Sequence, residues 1–352
     1  MTSEISTLNR VRQRRLAAGL TQAELATRAG ISRTAVTAIE GDRLVPSVAA
    51  ALSLAAALDT TVEQLFGQAA TEPPAEVWAW NSTSHTAPCW QAEISGKVLL
   101  YPADSTPMFS MLPDRHGDGS GTSTSAQANE TLVMACCDPA AGMLASQFAS
   151  TTGLRLIVLP RSSRQAVEML REGKVHLAGL HLATRDHPQR NTQVVHSLLG
   201  TGFQFIRMAW WQEGIAVTPT TELRSVRAVI KSKLNWIGRE PGSGARQCLD
   251  QLLGDRAAPR RVARDHRGVV EAIRSGWADA GICVQLASAE AGLKFLPVQE
   301  EAFDVCFPTK LADDRRIKAF LSVVRSVGYR KLLGDLPGYD ARDTGNVWED
   351  KA

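Results

Sequence analysis

The sequence predicts two successive folded parts, a small all-helical domain and a larger two-lobe α/β domain, and three observations carry that division. Residues 8–66 hold a close series of helix caps and short apolar stripes. Residues 113–129 (PDRHGDGSGTSTSAQAN) shift to Gly, Ser, Thr and Asp, a composition that makes a loop rather than an element. From Thr131 onward short apolar strands alternate with helices, the order of a mostly parallel sheet covered by helices. A chain of 352 residues exceeds one small helical domain and suits two or three.

In the first part, Leu8, Val11, Arg12, Arg15 and Leu16 space as one amphipathic helix ended by Gly19. Thr21 is an N-cap, and Glu24 three residues later completes a capping box. Leu25 and Ala26 face inward, and Gly30 stands where a helix end wants a left-handed residue. Ile31 fills the turn, Ser32 caps the next helix, and Val36 and Ile39 give that helix its apolar stripe. Arg33, Thr34 and Thr37 are left on the outward face near its N-terminal end, the end that a helix-turn-helix aims into a major groove. Ser47–Leu58 and Thr61–Phe66 supply two further short helices.

Gly67–Pro74 reads as a linker. Val77–Trp80, Trp90–Ile94 and Val98–Tyr101 carry strand signals, so 71–126 is expected to be a connector with a small β-ribbon and a flexible loop. Trp78 and Trp80 alternate, to pack on a neighbour or stack on a ligand. The predicted α/β domain spans 127–352. Its first strands are Leu132–Ala135, Leu154–Leu159 and Val175–Leu180, with a helix from Asp138–Pro139 to about Ser150 and another capped by Ser162 or Ser163. Further strands are predicted at 194–199, 203–211, 214–217, 235–238, 280–284, 294–297 and 304–307. Helices are predicted at 244–253, 268–275 and 315–327. Two such lobes with a return to the first make a clamshell.

Bulk composition is that of an ordinary globular protein, 44% apolar and 21% charged. No run of about 18 apolar residues is present, so no membrane partner is expected. The start, MTSEISTLNR, is polar and unlike a signal peptide. Cys89, Cys136, Cys137, Cys248, Cys283 and Cys306 show no paired metal spacing, and the adjacent Cys136–Cys137 suit small buried thiols. A reduced, cytoplasmic protein is expected. The net charge of +3 is small, so affinity for a polyanion must come from local placement. From Leu8 to Arg43 seven Arg stand against Glu24, Glu40 and Asp42, an excess of four. That excess binds phosphate weakly in a single copy and points to a homodimer on a two-fold site.

Three polar turns precede predicted helices: Cys136–Pro139, Pro241–Arg246 and Arg264–Gly268. A helix N-terminus offers unpaired amides and a positive dipole end to an anion. Gly242 and Gly244 let the backbone approach, Ser243 adds a hydroxyl and Arg246 a fixed charge. His266 precedes its helix, to cap it or to donate to an anion. His176 and His181, five apart on or after a strand, point to opposite sides and form no metal pair; His176 reads equally as a buried, backbone-bonded residue and as a cleft residue. Asp279 reads as closing a turn, and Trp210–Trp211 as hinge packing or ligand contact. No carboxylate pair, Ser-His-Asp order, metal-ligand cluster or cofactor motif is expected.

The order of these motifs resembles two families. Residues 8–66 resemble the Cro/lambda-repressor (XRE-like) helix-turn-helix domain. That resemblance implies double-stranded DNA as partner, Gln22 and Arg43 on phosphates, and Arg33, Thr34 and Thr37 on base edges, with Arg33 suited to guanine. CCDPAAGML, GKVHLAGLHL, REPGSGARQCLDQLL and SGWADAGICVQLASAEAGLKFLPV, in that order, resemble a type II periplasmic-binding-protein-like domain related to molybdate-binding proteins. The resemblance implies a cleft for a small anionic ligand, molybdate or tungstate first. It places Asp138, His176, His181, Ser243, Arg246, His266, Asp279 and Gly281 on motif positions. Cys137, Asp138, Ser243, Gly244, Arg246 and His266 are the expected ligand residues, although relatives commonly read GSGTR where this chain has Ala245. The function this implies is a one-component transcription regulator without enzyme activity. An oxyanion storage or delivery protein, a regulator of another small molecule and an enzyme on the same clamshell are the alternatives.

Overall fold

The computed structural model describes residues 9–66, 76–80, 87–103, 113–116 and 128–349. The expected linker at 67–74, the first residues through Leu8, and 117–127 of the Gly/Ser/Thr loop lie outside them. The chain divides into two compact units, Met1–Ala75 and Glu76–Ala352.

The described residues of the first unit form five helices: α1 (Val11–Ala17), α2 (Gln22–Ala29), α3 (Arg33–Glu40), α4 (Val48–Ala57) and α5 (Val62–Phe66). Their boundaries follow from local chemistry. The Thr21 hydroxyl accepts from the Glu24 amide, and the Glu24 carboxylate accepts from the Thr21 amide, which closes the capping box. Gly30 ends α2 at φ 66°, and the Ser32 and Ser47 hydroxyls cap α3 and α4. Val11, Leu25, Val36, Ile39, Leu54 and Leu65 form the core.

The second unit opens with a four-stranded sheet, order β1-β3-β2-β4, from β1 (Glu76–Trp78), β2 (Pro88–Ile94), β3 (Lys97–Pro102) and β4 (Arg115–His116). The expected connector is therefore part of the unit. Trp90, Ala92, Ile94, Leu99 and Tyr101 share a buried cluster with Val133, Ala135, Ile157 and Leu159 of the larger sheet. Arg155 donates to the Gln91 carbonyl (2.9 Å) and pairs with Asp114, and the Tyr101 hydroxyl donates to the Lys174 carbonyl (2.7 Å).

The larger sheet contains β5 (Thr131–Cys136), β6 (Arg155–Pro160), β7 (Leu177–Thr184), β8 (Phe203–Val217), β9 (Trp236–Arg239), β10 (Val262–Ala263), β11 (Ala280–Val284) and β12 (Lys294–Pro308), in the order β10-β9-β11-β8-β12-β7-β5-β6. The short strands β13 (Tyr339–Asp340) and β14 (Val347–Glu349) add to β8. The sheet is mixed, not mostly parallel. Pairing is parallel in both flanks, β5/β6/β7 and β9/β10/β11, and antiparallel through β7, β12, β8 and β11 in the centre. The 15-residue strands β8 and β12 serve both flanks, and so join two lobes. Each was expected as two short strands.

Residues 190–199 are helix α8, not the strand expected over 194–199; before it come α6 (Ala141–Thr152) and α7 (Ser163–Arg171). The helix buries Asn191, whose carbonyl oxygen accepts from the Leu182 and Ala183 amides while its NH2 donates to Asp304 (2.8 Å). Helices α9 (Val226–Lys231), α10 (Gly244–Leu253), α11 (His266–Arg274), α12 (Gln285–Glu290), α13 (Arg315–Arg325) and α14 (Val327–Gly334) complete the unit. All six cysteines are buried and free. Among the described residues no helix is long and apolar enough to cross a membrane. All eight tryptophans lie in the second unit.

His176 is buried and backbone-bonded, the structural of its two sequence readings. Its Nδ1 accepts from the Val133 amide (3.0 Å), and its Nε2 lies 3.0 Å from the Glu93 carbonyl. Burial, reinforced by Arg316, depresses its pKa from 6.5 to about 3. The unfolded chain takes up a proton below pH 6.5 that the folded one refuses, so stability is lost as pH falls through that window. At pH 5 the loss from this group should be about 2 kcal/mol. Urea unfolding of the full chain, followed by tryptophan fluorescence, should show that difference between pH 7 and pH 5 shrinking by this amount in His176→Asn. An equal acid loss in variant and wild type would refute the assignment.

Candidate ligand site and nucleic-acid interface

The site of the second unit lies at the carboxyl ends of the flanking strands, where the chain changes direction between lobes, the usual place for a ligand in an open α/β sheet. Cys137 and Asp138 follow β5, His181 lies on β7, and Arg239 ends β9. His266 begins α11 behind its N-cap Asp265, and Ser243 is the N-cap of α10. From the long central strands come Glu213 on β8 and Glu301 on β12. All eight side chains are buried, Glu213 and His181 completely.

His181 is the centre of the group. Its Nε2 lies 3.0 Å from Cys137 Sγ and its Nδ1 2.7 Å from Glu301 Oε2. Glu301 also accepts from Gln299 Nε2 (2.7 Å) and Trp211 Nε1 (3.4 Å). Burial opposes a charge on His181, but Cys137 and Glu301 outweigh it and raise its pKa well above the ordinary value. Burial, with Glu301 close by, drives that of Glu213 well upward. His266 is held well below its ordinary value by burial and by Arg239 and His181. Four buried polar atoms here lack a partner: both Glu213 oxygens, Arg239 Nη1 and His266 Nε2. Buried polar atoms are normally satisfied, so orphans gathered at one place mark a site for something else.

The expected ligand residues divide. Cys137, Asp138 and His266 line one small cavity of about 20 Å³, room for one water-sized species. Asp138 is already engaged, accepting from the Tyr339 hydroxyl (2.5 Å) and the Ala140 amide (2.9 Å), and burial lifts its pKa to about 6. Ser243 and Arg246 line a separate groove of about 360 Å³ with Arg164 and Arg190. The Ser243 hydroxyl donates to the Glu240 carbonyl and caps the Arg246 amide, and Arg246 pairs with Asp250. Gly244 lies against His181. The expectation of no carboxylate pair is corrected, since Glu213 and Glu301 meet through the fold. Cys137, His181 and His266, and likewise His181, Glu213 and Glu301, bring ligand atoms within 4.8 Å of one another. Glu213, Arg239 and Glu301 were missed. Their signal was charge inside otherwise apolar strands.

Asp279 accepts from the Asn235 amide and so closes a turn. Gly281 packs on Ile237 and Val269. Trp210 lies under the guanidinium groups of Arg185 (3.7 Å) and Arg207 (4.4 Å), and Trp211 stacks on Phe303 at 4.8 Å with its edge towards His181.

In the first unit, Arg33, Thr34 and Arg43 are exposed and Thr37 is half-buried. Gln22 is tied to α3: its amide donates to Glu40 (2.8 Å) and its oxygen accepts from Thr37 (3.2 Å). Glu40 in turn holds buried Arg15 through two bonds, 2.6 and 3.0 Å. Burial pushes the Glu40 carboxyl up, but Arg15 and Gln22 together hold it below the ordinary range. Arg12, Arg14 and Arg28 are also exposed.

A helix-turn-helix fold and a two-lobe α/β fold of the solute-binding kind follow one another along the chain. The chain belongs to the PBP superfamily, whose domain matches residues 145–325, and a helix-turn-helix family matches residues 11–65. Among curated proteins it is similar to the uncharacterized protein YvgK of Bacillus subtilis (strain 168), 29% identical over 186 residues, 50% of this chain. The chain spans 60% of that relative's length. Similar solved structures include an ABC-type phosphate transport receptor from Vibrio cholerae, 15% identical, covering 59% of this chain and 98% of its own at TM-score 0.42. A tungstate ABC transporter from Geobacter sulfurreducens is 13% identical, covering 58% and 98% at TM-score 0.46.

Proposed function

We propose that this chain is a one-component transcription regulator that acts in the cytoplasm as a homodimer, binding operator DNA with α3 and sensing a small anion between the lobes of its second unit. Support for the anion comes from two buried, unpartnered donors, His266 Nε2 on a residue that lines the small cavity and Arg239 Nη1 on one close to Cys137. His266 Nδ1 accepts from the Val284 amide (3.3 Å), which leaves the imidazole hydrogen on Nε2. Both donors belong to one lobe and lie near Cys137 of the other, so an anion bound there favours the closed arrangement. A ligand shifts an equilibrium only through such a difference between states. Molybdate and tungstate are the first candidates, and the cavity of about 20 Å³ requires the lobes to part to admit either. Calorimetric titration of the full chain with molybdate, tungstate, sulfate and phosphate tests this reading. Binding that disappears in Arg239→Met supports it; no heat with any of the four, or equal binding by that variant, refutes it.

For the DNA half, Arg33→Ala should weaken operator binding by about 1–3 kcal/mol and relax preference at one base position per half-site. Anisotropy titrations against the operator and against unrelated duplex check it. An equal loss on both would make Arg33 a phosphate contact.

A further inference from the structure

We propose that the second unit holds one divalent transition-metal cation, of the zinc class, between His181 Nδ1 and the carboxylates of Glu213 and Glu301. Three observations carry the site. First, these three ligand atoms lie within 4.8 Å of one another. A tetrahedral zinc ion with ligands at about 2.1 Å sets them roughly 3.4 Å apart, so only small side-chain adjustments are needed. Second, Glu213 is fully buried and neither of its oxygens has a partner, although Glu301, with its own carboxylate, lies close by. No cationic side chain hydrogen-bonds Glu213: Arg239, close enough to feel it, is engaged instead with Glu240 and the Arg264 carbonyl. Third, the surroundings orient the set. Gln299 and Trp211 donate to Glu301, and with Nδ1 on the metal the His181 Nε2 hydrogen points at Cys137 Sγ, 3.0 Å away. A metal-bound histidine ordinarily gives its other ring N–H to such an acceptor.

One imidazole nitrogen with two carboxylates suits zinc, cobalt, nickel or manganese, whereas calcium prefers six to eight oxygens. The neighbouring set of Cys137, His181 and His266 is the weaker candidate, because the Nδ1 lone pair of His266 is taken by the Val284 amide and its Nε2 carries hydrogen. This inference does not depend on the anion, and its test contains none.

The test uses the full chain, stripped with chelator and dialysed, then titrated with Zn2+, Co2+ and Ca2+. Tryptophan fluorescence, the melting temperature and metal content after gel filtration are the readouts. One Zn2+ per chain, a raised melting temperature and no response to Ca2+ are expected. Glu213→Gln should keep the fold, since it replaces a carboxyl whose oxygens have no partner by an amide of the same shape. It should also lower Zn2+ affinity by at least about tenfold. Unchanged Zn2+ affinity in Glu213→Gln, or no Zn2+ retained by the wild type, would overturn the proposal. Should that variant fail to fold, the wild-type Co2+ spectrum decides. Visible d–d bands without a thiolate charge-transfer band support the nitrogen–carboxylate set. A strong near-ultraviolet thiolate band would place the metal on Cys137 and overturn it.

Discussion

Substituting valine for Gly244 is expected to destabilise the second unit by about 3 kcal/mol and to abolish ligand binding there, while DNA binding survives. A Cβ on Gly244 would lie 2.4 Å from the His181 carbonyl oxygen and 2.5 Å from His181 Nδ1. Neither neighbour yields cheaply. The carbonyl is backbone in the buried stretch of β7, and the imidazole is held by Cys137 and Glu301. Gly244→Ala should show the same effect at smaller size, because the first carbon already collides. The sequence assigns this glycine to ligand approach; the structure assigns it to contact between the lobes. Urea unfolding by tryptophan fluorescence reads the second unit alone, and anisotropy with duplex DNA reads the first. An unchanged unfolding midpoint in Gly244→Val would show that the lobes do not press together here.

Arg15→Ala is expected to cost the helical unit about 2–3 kcal/mol, enough to melt much of so small a domain near physiological temperature. Arg15 donates to both Glu40 oxygens and to the Leu20 carbonyl (2.7 Å), so its loss leaves a mostly buried carboxylate with only Gln22 for company. The pair lies close to the surface of a small unit, which places the cost below that of a deeply buried pair. Because the first unit has no tryptophan, circular dichroism should show an early loss of helix that tryptophan fluorescence does not see. Affinity for specific and unrelated duplex should fall together. Arg14→Ala, an exposed neighbour, is the control and should change neither readout by more than about 0.5 kcal/mol. A melt of Arg15→Ala indistinguishable from that control would sink the claim.

Local signals were easy to read wherever a side chain bonds its own backbone. Thr21 with Glu24, Gly30, Ser32, Ser47 and Ser243 each mark a helix end within a residue of where it falls. Signals that depend on distant partners were not. The apolar pairs Val194–Val195 and Leu198–Leu199 look like strand in isolation, yet Asn191 must reach backbone of two other strands, and a helix presents it. Gln212–Glu213–Gly214 looks like a turn. In the structure it is the middle of β8, with Gly214 required because a Cβ there would lie 2.3 Å from the Leu296 carbonyl. Pro297 and the run Gln299–Glu301 broke β12 in the same way. The carboxylates that furnish the site are thus the residues that disguised its two longest strands. Arg239 and Glu213 were invisible as a pair because 26 residues and a helix separate them in sequence.

Where charge sits on β8 and β12 has a mechanical consequence. Cys137 belongs to one jaw of the clamshell and Arg239 and His266 to the other, so their mutual distances change when the jaws move. Glu213 and Glu301 sit on the axle. Gln299 opposes Glu213, and Trp211 opposes Glu301, through the ladder that β8 and β12 share, and that ladder turns with neither jaw alone. A species gripped by both jaws can therefore act as a trigger, while a metal held by Glu213, Glu301 and His181 ties the axle to the single jaw that carries β7. The two roles separate by experiment: occupancy of the jaws should trade reciprocally against operator affinity, and zinc occupancy of the axle should be the same with and without DNA. A zinc affinity that tracks operator binding would move Glu213 and Glu301 from the axle to the jaws.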